Sequence, residues 1–162
     1  MFRNPLFTLG SGVGIEIRGQ DLSVALVRSR WKGVTVAGHT LIRDFRGRPA
    51  ADWGEEYHAF LRSHGFRELA ATLALPRGEV MVRLLSLPAA AAGAGLASAV
   101  RFQIDSLHPY GEDSVYYSFA RLGGSGSAEV AVVLAPRPVV DGYADLFEQA
   151  GVKLRADRKS VV

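Results

Sequence analysis

The stretch Leu75-Pro76-Arg77-Gly78-Glu79-Val80-Met81-Val82-Arg83-Leu84-Leu85-Ser86-Leu87-Pro88 carries the densest structural signals in the chain, together with the alanine-rich run to Leu107, His108-Pro109-Tyr110 and Ser114-Val115-Tyr116-Tyr117-Ser118-Phe119. Val80, Val82 and Leu84 alternate with Met81 and Arg83, the period of a pleated strand whose two faces meet different surroundings. Pro88 closes that strand, because it has no amide hydrogen to give to a ladder. Leu96, Ala99, Val100, Gln103, Ile104 and Leu107 then recur at three- and four-residue steps, which predicts a helix with one mostly apolar stripe. Pro109 steers His108 away from helical backbone, so the helix ends near Leu107. Strand, helix and strand therefore follow one another inside one compact unit.

Toward the N-terminus, Val13-Gly14-Ile15-Glu16-Ile17, the turn Arg18-Gly19-Gln20-Asp21 and the apolar run from Leu22 predict a β-hairpin with strands over 13–18 and 22–29. A third strand is expected over 34–45, after the turn Trp31-Lys32-Gly33. Asp52 followed by Glu55 reads as a capping box opening a helix, and Trp53, Tyr57, Phe60, Leu61 and His64 share its face. Gly65 supplies a left-handed stop, and a fourth strand is expected over 69–75. Toward the C-terminus, Gly123-Gly124-Ser125-Gly126-Ser127 joins strands over 115–122 and 129–135 as a hairpin loop. It lacks the lysine, the serine or threonine and the following helix of a phosphate-cradling P-loop. Pro136 and Pro138 fit a helix start. Val140, Tyr143, Ala144 and Phe147 form its apolar stripe, Asp141, Asp145 and Glu148 its wet face, and Gly151 its stop.

The 162 residues are 48% hydrophobic, enough for a core in one domain or two small ones. Cysteine is absent, which excludes disulfides, thiolate nucleophiles and cysteine-based metal sites. No apolar run approaches the roughly 20 residues that span a bilayer, and residues 1–9 lack a cleavable leader pattern, so a cytoplasmic protein is expected. The net charge of +3 is dispersed along the chain rather than gathered into one run.

The frame of Leu-Pro, strand, Leu-Pro, helix containing Val100-Arg101-Phe102-Gln103, then Pro109-Tyr110 and Asp113-Ser114-Val115-Tyr116-Tyr117, resembles the PilM family. Those are actin-like cytoplasmic components of type IV pilus assembly, related in fold to FtsA and to the cytoplasmic part of GspL. The resemblance implies an α/β, actin-like (ribonuclease H-like) first subdomain over 1–76, an inserted α+β subdomain over 77–151, and a return toward the first subdomain over 152–162. It implies a scaffold that docks a short cytoplasmic peptide of a PilN-type membrane partner, with membrane association indirect, at the inner membrane. The peptide is expected in a groove one wall of which is the strand over 80–87 and the helix over 96–107, with Met81 and Phe102, apolar positions off the main stripes, as contacts. The family's first hairpin wraps the phosphates of ATP with the pattern Gly-Ile-Asp-Ile-Gly. Gly14, Ile15 and Ile17 match it, Glu16 replaces the aspartate, Arg18 the last glycine, and Ser23 a common lysine. Gly14, Glu16, Arg18 and Gly19 thus form a degenerate phosphate hairpin, because a side chain in place of glycine obstructs close approach of backbone amides to phosphate. A full family member would continue beyond Val162 with a second phosphate loop and an adenosine pocket. The chain is therefore expected to be the N-terminal half, as a fragment or a natural truncation, with no cofactor and no catalysis of its own. ATP and magnesium would belong to a longer protein. The alternative implied by the same resemblance is an actin-like ATPase or an FtsA-like division protein. An unpaired sheet edge predicts self-association.

Other constellations point to no chemistry. His39, His58, His64 and His108 form no metal-binding motif. Gly10-Ser11-Gly12-Val13-Gly14 lacks the glycine two before serine that a nucleophile elbow needs, and opens no helix for a dinucleotide site. Arg43, Arg46 and Arg48 around Phe45 read as a solvated strand end, since one aromatic makes a poor stacking platform for single-stranded nucleic acid.

Overall fold

The computed structural model describes residues 10–88, 95–111, 113–122 and 128–155. They fall into two compact units, one of residues 10–76 and 143–155, the other of residues 77–142.

The first unit is built on a four-stranded sheet of order β3-β2-β1-β4, with β1 Gly10–Arg18, β2 Asp21–Arg30, β3 Gly33–Ile42 and β4 Ala71–Ala74. β1, β2 and β3 run antiparallel as two successive hairpins, and β4 joins β1 in parallel. Arg18 pairs with Asp21, so Gly19 and Gln20 make a two-residue turn, and Gly19 takes the positive φ of 64° that such a turn demands at its first position. β3 stops at Ile42, three residues earlier than its apolar run predicts. Asp44 turns the chain through a φ of 48°, its amide donates to the Asp21 carboxylate at 2.9 Å, and Phe45 is delivered into the core.

α1, Ala50–Ser63, opens at Pro49 without any side-chain cap, so Asp52 lies inside the first turn and the expected capping box does not form. Pro49 fixes its own φ at −54° and leaves the first turn to solvent and the helix dipole, where Asp52 still sits favourably. Trp53, Tyr57 and Leu61 are buried as the stripe predicts, while Phe60 and His64 are half-buried. Gly65, with a φ of 83°, ends the helix. Val13, Ile15, Ile17, Leu22, Val24 and Leu26 fill the same core from the sheet.

The last helix, α3 Arg137–Gln149, contributes Tyr143 and Phe147 to the first unit's core, with Trp53 and Phe147 edge to face at a centroid distance of 5.2 Å. The second passage between units therefore falls at 142/143 rather than at 151, because Tyr143 and Phe147 pack with the first unit. Ala144, expected inside, faces solvent, and Ala150 and Val152 are buried instead. Beyond Gly151 the chain runs parallel to β4, with the Ala71 amide donating to the Lys153 carbonyl at 2.8 Å and the Arg155 amide to the Ala71 carbonyl at 2.7 Å.

The second unit is an antiparallel sheet of order β5-β7-β6, with β5 Met81–Leu87, β6 Val115–Arg121 and β7 Ala128–Pro136. α2, Leu96–Gln103, continues into a 3-10 turn Ile104–Ser106. Leu87, Val100, Ile104, Val115, Val130, Val132 and Leu134 form its core, with Met81, Leu85, Tyr117 and Phe119 packed against them. β5 alternates as expected, but Met81, Leu85 and Leu87 point to the core while Val82 and Leu84 are exposed. The loop expected over 123–127 lies outside the described residues.

Candidate functional site

Strand alternation in the first unit buries Val13, Ile15 and Ile17 and leaves Gly10, Gly12, Gly14, Glu16 and Arg18 on the opposite face of β1. Cross-strand pairing sets Ala25 beside Gly14 and Ser23 beside Glu16, and parallel pairing sets Thr72 and Ala74 on the other side. The result is an open cavity of about 470 Å³ lined by Gly14, Glu16, Arg18, Ser23, Ala25, His39, Thr72 and Ala74, with Ile15 at its base. At Gly14 the backbone is bare, and an added methyl there meets nothing within 4 Å.

Three of the four residues expected in the phosphate hairpin, Gly14, Glu16 and Arg18, line this cavity, and Gly19 forms the adjoining turn. Within it Glu16 and Arg18 are held by each other. Arg18 Nε donates to Glu16 Oε2 at 2.8 Å, and Nη2 lies 2.7 Å from the same oxygen. The guanidinium that offers the hairpin's positive charge is therefore already matched by a carboxylate two residues away. Ser23 Oγ and His39 Nε2 lie 3.0 Å apart, an arrangement that no sequence signal announced because the partners are on different strands. Serine and imidazole at this distance suggest a nucleophile and base. Among the described residues, however, no carboxylate hydrogen-bonds the other ring nitrogen of His39, so the pair lacks the group that would orient and stabilise an imidazolium. No cluster of three or more histidine or carboxylate side chains suited to a metal exists among the described residues.

The arginine cluster around Phe45 is structural rather than simply solvated. Arg46 donates to the Tyr143 hydroxyl and stacks over Phe45 and Tyr143, each ring centroid 5.4 Å away. Arg48 donates to Glu56 at 2.5 Å, and Arg43 lies 3.9 Å from the Asp21 carboxylate.

The two expected peptide contacts differ in their surroundings. Met81 packs against the core of the second unit, whereas Phe102 on α2 is 87% exposed.

These features define a mixed α/β chain with two separate sheets, the first reading β-β-β-α-β with a bare glycine-lined face. No known family profile matches the sequence, and no curated protein matches it. Solved structures share the fold. A PilM–PilN type IV pilus biogenesis complex matches with a TM-score of 0.69 at 20% identity, over 93% of this chain and 47% of that one. The cytoplasmic domain of EpsL, an inner membrane component of the type II secretion system of Vibrio cholerae, matches with a TM-score of 0.58 at 13% identity, over 90% and 56%. The chain thus spans about half the length of the solved chains it resembles, and the expected PilM-like fold is found.

Proposed function

We propose that this chain is a PilM-like scaffold module of a type IV pilus or type II secretion-like assembly platform, working in the cytoplasm beside the inner membrane. It docks a short cytoplasmic peptide of a PilN-type membrane partner. The observation that carries this reading is the fold likeness over 93% of the chain to a structure of PilM with PilN. In this reading the first unit is an actin-like subdomain and the second is the body inserted into it.

The module binds and does not catalyse. A triphosphate over the hairpin would meet open backbone at Gly14 but a guanidinium neutralised by Glu16, and no lysine in place of Ser23. Nucleotide contact by this chain is therefore weak.

Phe102 is the residue to test, since its exposure lets it be changed without disturbing a core. In a titration with a PilN-type peptide, Phe102→Asp abolishes binding while the thermal transition stays in place, and raised salt leaves wild-type binding intact because an extended peptide gains mainly from excluding water from apolar pockets. Parallel titrations with ATP–magnesium and single-stranded DNA give little signal. Failure of the wild-type chain to bind the peptide, or submillimolar ATP affinity with turnover, overturns this reading.

A further inference from the structure

The β2–β3 hairpin ends in a two-residue turn, Trp31-Lys32, because Arg30 pairs with Gly33. Large apolar side chains gather here with no core to enter: Trp31 is 90% exposed, Val36 68% and Val34 55%. A tryptophan placed at a tip in water is costly unless something apolar receives it. Its charge environment is one-sided. Between Asp21 and Asp44 the chain has the cations Arg28, Arg30, Lys32 and Arg43 and no carboxylate. Arg43 is engaged by Asp21, but no ion pair among the described residues involves Arg28, Arg30 or Lys32.

The hairpin is also two-faced. Val27 pairs with Val36 and Ser29 with Val34, so these share one face, while Arg28 and Arg30 pair with Thr35 and Gly33 on the other. Beside the cationic face lies a cavity of about 320 Å³ lined by Gly10, Ser11, Arg28, Ser29, Arg30 and Phe66, with the Arg28 guanidinium carbon 5.8 Å from the Phe66 ring centroid. Two guanidinium groups and the Ser11 hydroxyl, which pairs across from Arg28, around one hollow suit a phosphate oxygen. Val34 and Val36 on the opposite face and Trp31 at the tip suit the acyl boundary just beneath it.

We propose that this hairpin tip docks directly on an anionic lipid bilayer, with Trp31, Val34 and Val36 entering the interface and Arg28, Arg30 and Lys32 contacting lipid phosphates. Tryptophan at the interfacial level and arginine and lysine stems reaching toward headgroups are the physical signature of such contact. The hairpin would add a direct foothold to the indirect association that partner binding provides, and it needs no peptide to act.

Vesicle sedimentation of the whole chain tests it, comparing neutral phosphatidylcholine with vesicles containing phosphatidylglycerol. Partition is expected on the anionic vesicles alone, weakening as salt rises. Trp53 is already buried, so a shift of tryptophan emission to shorter wavelength on binding reports Trp31. Arg30→Glu with Lys32→Glu should lower partition by at least about twentyfold, at roughly fivefold per cation. Trp31→Ala should lower it by about tenfold or more. Absence of partition, partition unchanged in both variants, or binding of a soluble acidic peptide as tight as that of vesicles overturns the proposal. Binding of the PilN-type peptide is measured on the same variants and should persist. A wild-type chain that partitions but ignores the peptide sinks the scaffold reading and leaves this one standing.

Discussion

Gly54 and Gly142 give opposite answers to one substitution, and the difference tests how closely α1 and the end of α3 meet. Helix propensity alone favours alanine over glycine by about 1 kcal/mol at an interior helical position. At Gly54 that gain is overridden. An added methyl would lie 2.1 Å from the carbonyl oxygen and 2.9 Å from the carbonyl carbon of Ala150, and these are backbone atoms that cannot swing aside as a side-chain end does. Relieving the clash requires the two segments to part by about 1 Å, in an interior packed as densely as an organic crystal. The nearest structure to suffer is the Trp53–Phe147 pair, one residue from Gly54 and three from Ala150, with centroids 5.2 Å apart.

Overpacking costs about 1–3 kcal/mol and a loosened aromatic pair about 0.5–1.5 kcal/mol, so Gly54→Ala should destabilise by roughly 1–3 kcal/mol after the propensity gain is subtracted. In α3 the space around Gly142 is empty, with nothing within 4 Å of an added methyl, so Gly142→Ala should stabilise by about 0.5–1 kcal/mol. At about 2–4 °C per kcal/mol for a chain of this size, Gly54→Ala lowers Tm by about 2–12 °C and Gly142→Ala raises it by about 1–4 °C. Circular dichroism follows both, and tryptophan fluorescence follows the transition around Trp53. A Gly54→Ala protein as stable as the wild type would refute the close approach and, with it, the assignment of 143–155 to the first unit.

Burial pushes the Tyr57 phenol from 10 up to about 12. Because the unfolded chain releases this proton at the lower value, stability from this group is intact below pH 10 and is lost as pH rises toward 12, by roughly 1.4 kcal/mol per pH unit. Urea unfolding at pH 9, 10 and 11 checks it, and Tyr57→Phe, which gives up the 3.2 Å hydrogen bond to the Leu69 carbonyl, should flatten the slope. Glu16→Gln releases Arg18, and calorimetry with inorganic triphosphate should show affinity rising about two- to fivefold, the range set by an exposed ion pair. Met81→Asp puts a charge against the second unit's core and should lower stability by several kcal/mol, so any loss of peptide binding in that variant reflects unfolding, where the loss in Phe102→Asp does not.

The order of strands and helices was legible because each boundary is written in local chemistry, such as glycine at the β1–β2 turn and after both long helices, and proline after β5. What was not legible required knowledge of neighbours. A period of two in Val80-Met81-Val82-Arg83-Leu84-Leu85 fixes that two faces exist and is silent on which one is covered. The answer came from Val130, Val132 and Leu134 on the adjacent strand, which draw Met81, Leu85 and Leu87 inward. Asp52 and Glu55 satisfy the pattern of a capping box, yet the chain enters α1 through Pro49, and a cap lost by three residues is no cap. Ser23 and His39 are 16 residues apart and meet only because the β2–β3 register slips between Leu26 and Val27.

The run Gly10-Ser11-Gly12-Val13-Gly14 fails as a nucleophile elbow and as a dinucleotide loop, but on a strand its glycines recur every second residue and so line one face. Gly10 has a φ of 157° that disfavours a side chain, but folding does not require glycine at 12 or 14. An added methyl at Gly12 would meet Val27 Cγ2 at an ordinary 3.7 Å, and one at Gly14 would meet nothing. Glycine in a strand interior weakens the strand, and where packing gives no reason for it, close approach of another molecule to the backbone does. Gly14→Ala should therefore raise stability by about 0.5–1 kcal/mol while weakening whatever lies on β1. The pair of measurements is denaturant unfolding and inorganic triphosphate binding in the Glu16→Gln background, where Arg18 is free. A gain in stability with undiminished triphosphate binding would mean that the bare floor of the cavity is no phosphate platform, and that the glycines serve some other neighbour of this face.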